Sequence, residues 1–332
     1  MPVNNIECAL PRLYAAPEFT GADMGHVDSI TQRVAAISEL PGSARSAQPP
    51  APRSAKLELT SRCNLDCFFC AAHQRPREHA DMDWALFTRV AGELREAGVE
   101  QLGLFYIGES FLCDWLPEAV RYAKRACGYP YVFLTTNGVA ASRERVEACI
   151  SAGLDSLKFA LNWADGRQFE RVTGVCGVEH ETVLENIKAA RSARDHVQHQ
   201  TGHRCSLYSS SLSYDDAQPE RMRELLLQIE GYVDQHYWLP LVGHWGLPAP
   251  RLAARPVPVK PLPCWGLFTE AHVTWDGKLS ACSLDASQRF HVADLNTTSF
   301  LDAWESPAFQ QLRSAHLAGN VKETVCHHCL AY

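Results

Sequence analysis

The segment Lys56-Leu-Glu-Leu-Thr60-Ser-Arg-Cys63-Asn-Leu-Asp-Cys67-Phe-Phe-Cys70 decides how the rest of the chain is read. Lys56–Thr60 alternates polar and apolar residues, the pattern of a half-buried strand. Three cysteines at i, i+4 and i+7 follow on the loop that leaves it. A zinc site wants four ligands, and this loop supplies three, with no histidine nearer than His73. Three thiolates on one short loop suit a 4Fe–4S cluster in which one iron stays open for an outside ligand. A Cys₃His zinc site that recruits His73 and a metal-free thiol trio are the physical alternatives.

Working outward, the chain has 332 residues, 46% of them hydrophobic, with a formal net charge of −7. Eight Trp, 13 Phe and ten Tyr supply many buried anchors and exclude a disordered chain. The length predicts two domains, and the acidic balance argues against a general nucleic-acid binder. The 13 cysteines do not describe a secreted disulfide scaffold, because such scaffolds are small. The opening MPVNNIECALPRLYAAPEF also lacks the basic and apolar regions of a signal peptide. No apolar run approaches the ~18 residues of a membrane span. A cytoplasmic protein whose clustered thiols bind metal is the resulting expectation.

Residues 1–55 read as an N-terminal extension, with a short helix over 28–40 and a Pro/Ala/Ser-rich linker over 41–55, so that ordered structure begins at Lys56. Beyond it, helix and strand patterns alternate. Strands are predicted at 56–60, 101–107, 131–136, 156–162, 205–212 and 235–241; helices at 84–97, 115–126, 142–152, 181–194 and 219–230. This is an α/β pattern whose right-handed crossovers curl a parallel sheet into a partial (β/α) barrel over residues 56–245. A Pro-rich linker over 246–263 precedes a small unit over 264–332. There, Trp275-Asp276-Gly277 marks a hairpin, and 300–304 and 307–317 read as short helices.

The Cys63, Cys67, Cys70 triplet resembles the signature of the radical S-adenosylmethionine (SAM) superfamily, which implies a (β/α)6 barrel. The resemblance implies that these cysteines hold a 4Fe–4S cluster whose open iron chelates SAM. It also implies that electron transfer from the cluster releases a 5′-deoxyadenosyl radical, which abstracts hydrogen from substrate. Phe69 sits where the family places an aromatic near the adenine. Gly108-Glu109-Ser110, at the end of the second strand, resembles the family's Gly-Gly-Glu-like motif, with Ile107 in place of its first glycine. Asn137 and Asn162, at the ends of strands three and four, are placed to reach the SAM ribose; Asn137-Gly138 is also an ordinary turn pair.

Cys264, Cys282, Cys326 and Cys329 form a second set, able to close a metal site completely, with zinc as the physical alternative. Their layout resembles the SPASM/twitch extension, in which such cysteines hold an auxiliary 4Fe–4S cluster. With no further cysteines following, the truncated twitch form is the better match. A fully ligated second cluster fits an electron relay, hence an oxidoreductase of dehydrogenase-like type. An epimerase would instead need a hydrogen donor, for which Cys113 and Cys205 are the candidates. Cys127 and Cys149 read as core residues, Cys8 and Cys176 are unassigned, and His327 and His328 are bystanders. Tyr237-Trp238 and His244-Trp245 are candidates for the barrel mouth, and Asp215 and Asp216 for a base. Residues 1–55 look too short and Pro-rich for a leader-peptide module, which favours a small sugar, cyclitol or aminoglycoside-like substrate over a peptide. An external electron donor such as flavodoxin or ferredoxin completes the expected partners, with no nucleic acid and no membrane.

Overall fold

Six parallel strands succeed one another in space in the order in which the chain makes them. The computed structural model describes residues 29–70, 78–214, 216–240, 262–283, 285 and 289–327. The strands are β1 (Ser54–Leu57), β2 (Gln101–Gly103), β3 (Tyr131–Thr136), β4 (Ser156–Ala160), β5 (Ser206–Ser213) and β6 (Gln235–Pro240). A C-terminal trio, β7 (Glu270–Val273), β8 (Lys278–Ser280) and β9 (His291–Asp294), extends the same sheet. β7 runs parallel to β1, and β8 and β9 return antiparallel. Sequential order with helical crossovers on one face makes an unclosed partial barrel.

Alternation sorts the side chains. In β3, Val132, Leu134 and Thr136 are buried, while Tyr131, Phe133 and Thr135 line the barrel interior. The outer layer comprises α2 (Trp84–Glu96), α3 (Leu116–Arg121), α4 (Arg143–Ala152), α5 (Gly166–Thr173), α6 (Glu179–Thr201), α7 (Gln218–Arg221) and α8 (Arg223–Ile229); α1 (Ile30–Ser38) precedes β1. Start signals are local: the Asp83 carboxylate accepts from Leu86 N at 3.0 Å, and Ser142 accepts from Arg145 N. Gly153 ends α4 in the left-handed region (φ 111°), which is why a glycine stands there.

Several expectations change. β1 starts two residues early and ends at Leu57, and β2 is only three residues long. Past Gly103, Leu104 N still bonds Phe133 O, but its carbonyl takes the Ser110 hydroxyl and the chain turns away. The predicted 115–126 helix passes from α3 into a π-helical turn, Tyr122–Ala126. α6 runs to 23 residues, and α5 and β9 were not anticipated. The reading of 41–55 as an unanchored linker is corrected. Ala44 is buried, Trp304 Nε1 donates to Pro50 O (3.2 Å), and Arg313 donates to Ala47 O (3.4 Å). This stretch therefore lies on α10 (Phe300–Trp304) and α11 (Pro307–Leu317). Order also precedes Lys56: the guanidinium of Arg33 in α1 lies 3.3 Å from the centroid of the Tyr131 ring, and Gln235 Nε2 donates to Thr31 Oγ1.

The Asp276-Gly277 hairpin forms as read, with Gly277 at φ 82°. A short helix, α9 (Gly266–Thr269), leads into β7. Among the described residues no helix is long and apolar enough to cross a membrane. Cys8, His73, Asp215, His244, Trp245, His328, Cys329 and the Pro-rich stretch through 261 lie outside the described residues.

Candidate cluster and cofactor site

The loop after β1 is fixed largely by its backbone, and none of its thiols is bridged to another. Glu58, buried at the end of β1, accepts from Gly108 N and from Trp275 N, both at 3.2 Å. It ties the Gly-Glu loop and the C-terminal hairpin to the same point. Gly108 passes so close that a Cβ there would stand 2.0 Å from Thr60 O, so only glycine fits. Glu109 N then donates to Arg62 O (2.8 Å), while the Arg62 guanidinium pairs with Asp81 (2.7 Å) and bonds Leu112 O (2.7 Å). On the other side, Asp66 N and Phe68 N donate to Thr173 O and Val172 O at the end of α5. Cys63, Cys67 and Cys70 emerge half-buried and unbridged.

The Glu109 carboxylate is buried and accepts three bonds: from Thr136 Oγ1 (2.8 Å), Asn137 N (2.7 Å) and Phe111 N (3.1 Å). Burial raises its pKa above the ordinary carboxylate value, and the three donors oppose that shift. Asn137 Nδ2 in turn donates to Asn64 Oδ1 (2.8 Å) and lies 3.9 Å from Cys63 Sγ. Glu109 thus anchors Asn137 against the cysteine loop. Ser110 Oγ is committed to Leu104 O (2.6 Å), and Asn162 Oδ1 to Leu212 N (2.9 Å). Phe69 meets Phe68 edge to face (5.2 Å), and Phe68 meets Tyr214 (5.6 Å), forming an aromatic wall beside the thiols.

Sequence reasoning missed Glu58 and Thr136. Both looked like ordinary strand positions; the available signal for Glu58 was an acid in a segment otherwise bound for burial.

Among the described residues no group of three His, Cys, Asp or Glu side chains converges as a single metal ion would require. A cluster spreads its thiolates more widely than one ion does, and an all-sulfur donor set on a pinned loop fits it. Burial first, then the neighbouring Glu109 and Cys70, pushes the Cys63 thiol up to about 11; burial pushes Cys67 higher still. Bound iron would reverse that balance, since metal coordination deprotonates thiols.

In the second set, Cys282 lies two residues past β8, alongside the start of β7, and Cys264 precedes the helix that leads into that start. Tyr106 OH bonds Cys282 O, and Cys264 N donates to His316 Nδ1 (3.2 Å). Cys326 is buried in a turn after α11.

The two hydrogen-donor candidates lie in different places, Cys113 near Arg62 and Asp81 and Cys205 at the far end of the strands. Cys205 opens β5 at the N-terminal end of the strands, fully buried near Asp155 and Asp234, while the cysteine loop leaves their C-terminal ends. Cys113 has no exposed surface, lies near Cys149 of α4, and its carbonyl accepts from Arg145. Tyr237 does line the barrel interior, whereas Trp238 stacks edge-on with His236. Asp216 is exposed.

A family profile described as the radical SAM superfamily matches residues 57–226, more than half of the chain. This chain belongs to the radical SAM superfamily. A second profile, an iron-sulfur cluster-binding domain (SPASM), matches residues 264–330. The family implies a 4Fe–4S cluster with SAM, and the SPASM unit implies auxiliary iron–sulfur clusters. A GTP 3′,8-cyclase of Chlorobaculum tepidum is 33% identical over 118 residues, 36% of this chain and 35% of that protein. A PqqA peptide cyclase of Streptomyces rochei is 31% identical over 144 residues, 43% of this chain and 38% of that protein. The matched segments therefore span less than half the length of these curated relatives. Among solved structures, BtrN in complex with AdoMet and 2-DOIA superposes with a TM-score of 0.53 at 16% identity, covering 83% of this chain and 92% of that one. SuiB of Streptococcus suis bound to precursor peptide SuiA gives 0.54 at 14%, covering 80% and 67%. These two likenesses concern the fold.

Proposed function

We propose that the chain is a radical SAM enzyme that abstracts hydrogen from an organic substrate held in the barrel. The observation that carries the reading is the triplet of unbridged thiols on one loop pinned at the C-terminal ends of parallel strands. Cys63, Cys67 and Cys70 would hold three irons of a 4Fe–4S cluster and leave the fourth for SAM. With reductant, the cluster and SAM supply homolytic C–H abstraction. The chain's own residues orient and shield: Gly108 brings its backbone against the loop, and Glu109 locks Asn137 beside Cys63. Phe69, Phe68 and Tyr214 exclude water from one side.

Cys264, Cys282, Cys326 and Cys329 would complete a second cluster in a twitch-like unit over 264–332, joined to a barrel over 56–245. Four cysteine ligands leave no iron open to substrate, which supports a redox role and a net two-electron oxidation of a small molecule. A flavodoxin or ferredoxin is the class of donor such chemistry needs. Peptide modification is the second reading, favoured by the likeness to SuiB bound to a precursor peptide.

Iron and sulfide counting tests the assignment. Anaerobic wild type should carry about eight irons, and the Cys63/Cys67/Cys70 triple alanine variant about four, with 5′-deoxyadenosine formation lost. Wild type that yields no 5′-deoxyadenosine with any reductant overturns the reading.

A further inference from the structure

Inside the barrel, charges do not cancel. A cavity of about 180 Å³ is lined by residues that include Arg33, Lys56, Lys158 and Glu270, three cations against one carboxylate. That carboxylate is fully engaged. Glu270 Oε2 takes Lys56 Nζ at 2.8 Å and His272 Nε2 at 2.8 Å, and Oε1 accepts from Ser54 Oγ at 3.3 Å. Burial opposes the charge on Glu270, yet Lys56 and then His272 hold its pKa below the usual range; burial lowers the His272 pKa against the pull of Glu270.

Lys158, mid-strand in β4, enters the same space with no acidic partner among the described residues. Its Nζ lies 5.7 Å from the centroid of the Tyr237 ring. Arg33 lies on the Tyr131 ring, and its Nε is buried without a hydrogen-bond partner among the described residues. An enclosed cation without an acid is costly to keep unless something else neutralises it.

We propose that this cavity binds an oxyanion of the substrate, a carboxylate or a phosphate, with Lys158 as its principal contact and Arg33 beside it. The inference rests on the barrel being the substrate chamber, and it names the substrate class as anionic. An aminoglycoside-like polycation would be repelled here, whereas a sugar or cyclitol bearing an acid group would fit the charge. Burial lowers the Lys158 pKa to about 8, which still leaves the ammonium mostly charged at neutral pH. The two aromatic rings flanking the cations add favourable cation–π contact without consuming their hydrogen-bond donors.

The test is equilibrium dialysis of inorganic phosphate and of acetate, in separate arms, against full-length protein carrying its iron and sulfide, at pH 7 and low ionic strength. Wild type should bind one of the two saturably. Lys158→Met should weaken that binding at least tenfold, and Lys158→Arg should retain it. Tighter phosphate assigns a phosphate, tighter acetate a carboxylate. Binding of neither, or equal binding by Lys158→Met, overturns the proposal. Should Lys158→Met fail to fold, ¹³C-methylated lysines in the wild type carry the test. A lysine resonance of low pKa should then shift saturably with phosphate or acetate, and absence of any shift overturns the proposal. Release of 5′-deoxyadenosine from the same preparation is scored separately. SAM cleavage without anion binding sinks this inference alone; anion binding without SAM cleavage sinks the functional reading alone.

Discussion

The rim of the barrel and its interior treat polar groups in opposite ways. At the rim, Glu58, Glu109, Ser110 and Asn162 are all occupied by partners from the protein itself. Inside, Lys158 and Arg33 stand where the one acid among the described lining residues, Glu270, is already engaged by Lys56. A saturated network holds a site in one geometry before anything binds. An unsaturated one is complete only with a ligand. The rim is built to position, and the interior to receive.

The comparison breaks most visibly at Glu109. Glu109→Ala leaves Thr136 Oγ1, Asn137 N and Phe111 N without their acceptor in a buried site. Orphaned donors of this kind cost about 1–3 kcal/mol each, so an overall loss on the order of 3–5 kcal/mol is expected by anaerobic urea denaturation. Iron content should fall with it, because Asn137 no longer braces the Cys63 loop. A loss under 1 kcal/mol would mean the rim is not held as described.

Lys158 should respond with the opposite sign. Its pKa is lowered in the folded chain, from 10.5 to about 8. The folded state therefore releases this proton first as pH rises, and stability contributed at this position grows between about pH 8 and 10.5. Below pH 8 the charge is a constant penalty. Lys158→Met should thus stabilise the ligand-free protein at pH 7, by at most roughly 3 kcal/mol, and abolish this part of the alkaline rise. A destabilised Lys158→Met with the rise intact would mean that Lys158 already has a partner.

What the sequence made legible follows from how local each signal is. β3, α10 and α11 match the predicted ranges because alternation or capping residues such as Ser299 and Ser306 define them locally. The triplet was legible because three thiols on one loop have few other causes. The role of Glu109 as an anchor was not legible, because two of its three partners, Thr136 at the end of β3 and Asn137 just past it, are 27 and 28 residues away. The packing of residues 41–53 was likewise hidden. Their prolines read as a linker, but the carbonyls of Ala47 and Pro50 serve Arg313 and Trp304, more than 250 positions later. The cavity depends on the same kind of non-local pairing. Lys56 alone reads as a strand's polar position, and only β7 shows that Glu270 neutralises it and leaves Lys158 without an acid.

The smallest effect is expected at Cys205. Its thiol is fully buried and donates to Ser206 O at 3.8 Å. β5 then runs for eight residues toward the rim, a span of roughly 25 Å. No hydrogen atom passes directly from that thiol to a substrate radical formed beside Cys63. Cys205→Ala should therefore cost about 1 kcal/mol of stability through the lost sulfur contacts. Turnover and deuterium incorporation into product should stay within twofold of wild type. A variant that still cleaves SAM but loses product would show that the N-terminal end of the barrel takes part in the chemistry. The division between a positioning rim and a receiving interior would then have to be redrawn.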